Sequence, residues 1–348
     1  MKRKIVQLAV LLTVVIIAAS PGFSQASVIL ENHLKQDLGL SQDQVNSIRN
    51  GQPFAEALDS RSPAEIFVFG AIYINADPAS YLKYAYDFNR LRSTPGYLAI
   101  NQYSNPPQLS DLKGFGLDSD DIQSLKNCNP GNCAIQLPAS TIEDVRKSVN
   151  WSAPDVDNQV NQYLQKTALT RMQLYQQQGD KLFGEVYNDK KQQVNVTDQF
   201  KYILSYTKAL PQDVPEFYNY IVNYPQSKSA NIDSMFYWES VKFGLKPTLR
   251  IVQVVTMQGG SPNEPAYTIA EKQIYSSHYF ETALDLTYCI SGNDDPKQPG
   301  FFLVQVMGSE QAGLTGFKGS IVRRVAVSHS VTDMQKSLVA TKDALEHR

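Results

Sequence analysis

Four histidines occur in this chain, His33, His278, His329 and His347, and His278 alone shares a strand-like stretch with polar side chains fit to exchange a proton, Ser276 and Tyr288. A ring nitrogen open to a substrate would make His278 a general acid or base, whereas two satisfied nitrogens inside a wall would make it structural. No His-x-x-x-His, Gly-x-Ser-x-Gly or Gly-x-x-x-x-Gly-Lys pattern accompanies it. Zinc-protease, serine-hydrolase and phosphate-loop chemistry therefore have no anchor in the sequence, and no cofactor or metal is expected.

Two other groups of residues carry chemistry. Cys128 and Cys133 enclose a Pro-Gly pair, a strong turn former that would bring the two thiols together. In an oxidising compartment they would form a disulfide worth about 2 kcal/mol, and Cys289 is left as a buried thiol. A metal site there would need further ligands, and no other Cys or His lies within 90 residues. Asp118, Asp120 and Asp121 lack the glycine and distal glutamate of a calcium loop. Trp238, with Phe236, Tyr237 and Phe243, reads either as the mouth of a pocket or as packing.

The elements that must position these groups follow from periodicity and punctuation. Residues 65–75 are β-branched and aromatic, without proline, and predict a strand. Asp77-Pro78 then opens a helix whose Tyr81, Leu82, Ala85, Phe88 and Leu91 fall at helical spacing. Residues 39–51 and 116–128 match at five of thirteen positions, each opening on an N-cap (Ser41, Asp118), which predicts two short helices built by the same rules. Further strands are expected at 96–103 and 133–138. Helices follow through 150–226, the first marked by Val156, Val160, Leu164, Ala168 and Met172. Strands return at 249–257, 267–290 and 301–307, the second long enough to require a bend or bulge. A helix over 319–346 closes the chain, its apolar side running from Ile321 and Val325 through Val331, Met334, Leu338 and Leu345.

The first residues set the expected compartment. Lys2, Arg3 and Lys4 precede an apolar run of 15 residues, 5–19, and Ser24-Gln25-Ala26 supplies small residues for a signal peptidase. This is the pattern of a secretory signal peptide over 1–26, and the run is shorter than the ~20 residues a membrane span needs. A periplasmic or secreted protein with no stable membrane span is expected. Removing three basic residues from the chain's 32 leaves 29 against 34 acidic, a net charge of about −5. The nearest thing to a basic block is Arg323-Arg324. Overall charge thus points away from nucleic acid and from anionic membranes as the main partner.

Strand, helix, several antiparallel strands and a long C-terminal helix is an uncommon order. It resembles the START-like or helix-grip superfamily, which includes lipid-transfer domains and aromatase/cyclase-like proteins. The likeness rests on residues 66–91 and 249–346. Residues 236–247 and 272–280 also resemble blocks found in exported bacterial proteins, a likeness that carries no activity. The resemblance implies an α+β fold with a curved antiparallel sheet gripped by the C-terminal helix. The chain then divides into the signal peptide, a helical lead-in (27–62), a first part of the domain (63–149), a helical insertion (150–235) and the closing strands and helix (236–348). It also implies a cavity between sheet and helix. The even positions of the long strand, from Ile274 to Tyr288, are mostly apolar, as a cavity wall or a plain core face would be. Glu281 and Asp285 fall on its other face, where solvent or Arg/Lys partners are expected. The expected ligand set is Ser276, His278, Phe280, Leu284, Tyr288 and Trp238, holding a hydrophobic small molecule or lipid. A cavity enzyme using His278 and a protein docking through the Tyr-rich insertion are the alternatives.

Overall fold

The computed structural model describes residues 25–129, 132–184, 196–206, 214–244, 246–260, 264–292, 300–311 and 313–347. The expected signal peptide lies outside them, save for Gln25 and Ala26 at the start of the first helix. In chain order the elements are α1 (Gln25–Gln36), α2 (Gln42–Arg49), β1 (Phe54–Leu58), β2 (Glu65–Ile74), α3 (Pro78–Ala85), α4 (Phe88–Arg92) and β3 (Tyr97–Gln102). Five helices follow, α5 (Ser119–Lys126), α6 (Ala139–Ser148), α7 (Val156–Gln178), α8 (Val196–Tyr206) and α9 (Pro215–Asn223). Then come β4 (Ile232–Phe243), β5 (Lys246–Gln258), β6 (Tyr267–Ser276), β7 (Phe280–Ser291), β8 (Phe301–Gln311) and α10 (Gly316–Glu346).

The strands form one antiparallel sheet in the order β1-β2-β8-β7-β6-β5-β4-β3. From β2 the chain crosses one face through α3 and α4 to the far edge, then returns strand by strand from β4 to β8. The sheet is therefore covered on both sides. One core holds Val68, Ile72 and Leu303 against Met334, Leu338 and Leu345 of α10. The other holds Phe67, Phe69, Leu286 and Val306 against α1, α2 and α5 to α9. Two covered faces explain why β2 is a nearly unbroken apolar run, since neither set of alternate residues meets water.

Local rules set the helix starts. Ser41 and Gln44 form a capping box on α2, Asp77 accepts from the Ala79 amide at 2.8 Å, and Asp118 accepts from the Asp121 amide at 2.9 Å. On β2, Gly70 lets α10 approach closely, because a Cβ there would lie 2.6 Å from Met334 Cγ.

Several expectations need correction. Residues 267–290 are two strands, β6 and β7, joined by a tight turn in which Tyr279 has φ +63° and the Phe280 amide donates to the His278 carbonyl at 2.7 Å. Of the residues that usually mark a turn it contains Ser277 alone, and neither Gly, Pro, Asn nor Asp. Residues 133–138 form no strand; a bridge joins Asn129 to Asn132, Pro138 is an isolated bridge residue, and the Gln136 amide donates to the Ser277 carbonyl at 2.8 Å. The expected lead-in contains the edge strand β1, and β4 begins at Ile232, inside the expected insertion. The side of α10 expected to be apolar is buried only from Met334 onward, while Ile321 and Val325 face solvent. Finally, α10 lies on the face opposite Leu284 and Tyr288, which are buried beneath the helices between β3 and β4.

Candidate functional site

On the α10 side of the sheet, strand register assembles a polar cluster that no local motif announces. Glu271 of β6 stands directly opposite Asp285 of β7, and Glu239 of β4 directly opposite Arg250 of β5. Arg250 Nη1 donates to Glu239 Oε1 at 2.9 Å. From the chain connecting α3 to α4, Tyr86 reaches over and its hydroxyl donates to Glu271 Oε1 at 2.8 Å, while Tyr237 Oη donates to Glu271 Oε2 at 3.4 Å. Glu239 is buried, whereas Glu271 and Asp285 are half-buried and keep part of their surface in water.

The charges perturb one another. Burial, reinforced by the charge of Glu271 and opposed by Arg250, pushes the Asp285 carboxyl up to about 7. Burial also raises Glu239, against the pull of Arg250. Burial and the charge of Glu271 raise the hydroxyls of Tyr86 and Tyr237, so both remain donors. One carboxyl of the facing pair can therefore hold a proton near neutral pH, which gives the cluster both donor and acceptor capacity. Two buried polar atoms here have no hydrogen-bond partner among the described residues, Arg250 Nε and Gln273 Oε1. Gln273 follows Glu271 by two on β6 and pairs with Val252 of the same core, so it shares this face.

The residues expected from sequence divide among three places. Phe280 lies under the Arg250 guanidinium, 5.5 Å from ring centre to carbon, and Ser276 pairs with Arg250 across β5 and β6, so both border the cluster. His278 sits in the β6–β7 turn, its Nε2 2.6 Å from Asp121 Oδ2 and its Nδ1 3.1 Å from the Ala134 carbonyl. Lys246 Nζ donates to the other oxygen of Asp121 at 2.5 Å. Burial would raise the Asp121 carboxyl, but the bonds from His278 and Lys246 hold it below the usual range. With both ring nitrogens engaged, His278 offers none to a substrate.

Leu284, Tyr288 and Trp238 are packed beneath the helices. Tyr288 shares a hydrogen bond with Tyr218 at 2.5 Å, and Trp238 Nε1 donates to the Asp111 carbonyl at 2.7 Å. On that side an apolar crevice of about 60 Å³ remains between the sheet and α6–α7, lined by Leu164, Met172, Leu249, Ile251, Ile274 and Tyr275. A lipid-sized site takes roughly 300–1,000 Å³. Leu284 and Tyr288 are not among the residues lining it.

Sequence reasoning missed a second buried pair. Lys272 Nζ donates to both oxygens of Asp180, at 2.5 and 2.6 Å, and to the Ile221 carbonyl at 3.3 Å, with the Phe200 ring 4.8 Å away. Burial lowers the ammonium of Lys272 and Asp180 opposes that shift. The pair fastens the segment after α7 to the middle of the sheet.

Cys128 and Cys133 are joined as a disulfide, Cα to Cα 4.7 Å, and Cys289 is a buried free thiol whose ionisation burial pushes upward. Among the described residues, no group of three or more His, Cys, Asp or Glu is placed to hold a metal, and no helix is long and apolar enough to cross a membrane.

The chain matches no protein-family profile and no curated protein. Among solved structures it is similar to the crystal structure of the ZhuI aromatase/cyclase from Streptomyces sp. R1128, at 11% identity and a TM-score of 0.24, over 44% of this chain and 87% of that one. The fold stands on its own strand order: α+β, with an eight-stranded antiparallel sheet and a long C-terminal helix across one face, an arrangement consistent with the helix-grip resemblance.

Proposed function

We propose that this protein binds a small amphipathic molecule on the α10 side of its sheet. The reading rests on the Glu271–Asp285 pair, two carboxyls facing each other across a ladder and partly exposed to water. Like charges directly opposite weaken a sheet, so a ligand that takes hydrogen bonds from one carboxyl and gives them to the other offsets that cost. Three carboxyl groups against one guanidinium favour a polar end that donates, such as an amine or hydroxyl. Apolar Met307 and Phe280 nearby, both with surface exposed, suit the remainder of the molecule. The hydrophobic ligand expected from sequence thereby becomes one with a polar head. The expected secretory leader makes the periplasm or the exterior the place where binding occurs.

A second reading, a cavity enzyme, is favoured by the same pair. Asp285 holds its proton near neutrality and Glu271 stands beside it as a base, so general acid–base catalysis passes from His278 to these carboxyls.

Thermal-shift screening of amphipathic amines and alcohols, with native mass spectrometry of the purified protein, tests the proposal. Hits should stabilise the wild type and lose most of that effect in Glu271→Gln, while His278→Ala keeps it. Hits that stabilise Glu271→Gln as well as the wild type would place binding elsewhere.

A further inference from the structure

The first half of α10 presents to solvent what a soluble helix normally buries. Phe317 is 87% exposed, Ile321 59%, Val322 53% and Val325 52%. Spaced by four, Phe317, Ile321 and Val325 form a continuous stripe, with Val322 widening it. Basic groups border the stripe. Between Gly316 and Thr332 the helix carries Lys318, Arg323 and Arg324 and no acidic residue, in a chain whose net charge is −2. Lys318 and Arg324 form no ion pair among the described residues. Arg323 is held inward, donating to the Pro63 and Glu65 carbonyls and to Ser60 Oγ.

Beside the stripe, an open groove of about 580 Å³ runs between residues 60–63 and α10. Arg61, Ser62, Ser320, Arg323 and Arg324 line it. Arg324 belongs to both features, on the edge shared by groove and stripe. An apolar face, cationic margins and an adjoining polar groove rich in guanidinium groups are the requirements for lying in the headgroup boundary of an anionic bilayer. Pairing with a second copy fits less well, because a two-fold contact along the stripe would bring the basic margins of the two copies together.

We propose that the N-terminal half of α10 docks this protein on an anionic phospholipid bilayer. Phe317, Ile321 and Val325 enter the acyl boundary, and Lys318 and Arg324 meet the phosphate groups. The near-neutral charge of the whole chain conceals this patch, and the proposal stands independently of the small-molecule site.

Co-sedimentation of the purified protein with phosphatidylglycerol-containing vesicles, against pure phosphatidylcholine vesicles, tests it. Binding to the anionic vesicles should be stronger by about tenfold or more and should weaken at high salt. Phe317→Ser with Ile321→Ser, and separately Lys318→Glu with Arg324→Glu, should each lower it about tenfold while the melting temperature stays unchanged. Equal binding to both vesicle types, or variants that bind like the wild type, would overturn the proposal. So would a concentration-dependent dimer in sedimentation velocity that Phe317→Ser abolishes while vesicle binding is absent.

Discussion

Glu271 and Asp285 occupy facing positions on β6 and β7, an arrangement in which the charge of Glu271 raises the cost of ionising Asp285. Arg250, already engaged with Glu239, does not cancel both charges. The sheet therefore carries an electrostatic penalty in the middle of one face.

That penalty should be visible as pH dependence. Asp285 is held at about 7 in the fold against 3.8 ordinarily, so between these values the folded chain keeps a proton that the unfolded chain has released. Stability then falls as pH rises through this window and levels off above it. Asp285→Asn should be more stable than the wild type at about pH 8, by on the order of 2 kcal/mol, with the difference fading toward pH 4. Urea denaturation at several pH values measures it, and parallel profiles for the two proteins would remove Asp285 from the account.

Lys272 and Asp180 predict the reverse behaviour. Lys272→Met leaves the Asp180 carboxylate without its cation under the helices, at a cost of about 3–5 kcal/mol. Adding Asp180→Leu should recover part of the loss. A Lys272→Met protein as stable as the wild type would show that the helices after α7 do not depend on this clamp.

His278→Ala removes the hydrogen bonds to Asp121 and to the Ala134 carbonyl, for about 2–3 kcal/mol. Asp121 titrates below its usual range, so it contributes stability above the unfolded value near 4 and loses it as pH falls through the folded one. Losing His278 weakens that depression, and the acid limb of the stability profile should become shallower. An unchanged acid limb would mean that Lys246 alone holds Asp121.

Gly70→Ala sets a methyl against Met334 of α10. Overpacking of this kind costs about 1–3 kcal/mol, and Met334→Ala in the same chain should relieve some of the strain while adding a cavity term of its own. Melting temperatures of the single and double variants decide whether the two positions are coupled.

Much of the framework was legible because it is written locally. The apolar run of β2, the Asp77-Pro78 cap on α3 and the spacing of Val160, Leu164, Ala168 and Met172 on α7 each state their element within a dozen residues. The β6–β7 turn was not legible, because Ser277-His278-Tyr279 carries only a single serine as turn signal and the strand pattern runs through it. The candidate site was least legible of all. Glu239, Arg250, Glu271 and Asp285 come from four different strands, and only register aligns them. Parity along one supposed strand could divide its residues between two faces, but it could not tell which face α10 would cover.

α10 spans 31 residues, about 46 Å of uninterrupted helix, yet its buried side chains lie almost wholly beyond Met334. Its last turns bury apolar side chains on the sheet, whereas its first turns rest there through partly buried Ala326, Val327 and Val331 and through the Arg323 bonds to residues 60–65. One rod thus joins two regimes of amide exchange, a slow one governed by global unfolding and a faster one governed by local opening of its more exposed first turns. Anything that settles on those exposed first turns would slow the second without touching the first, so the protection pattern along this single helix can report occupancy at one end of it.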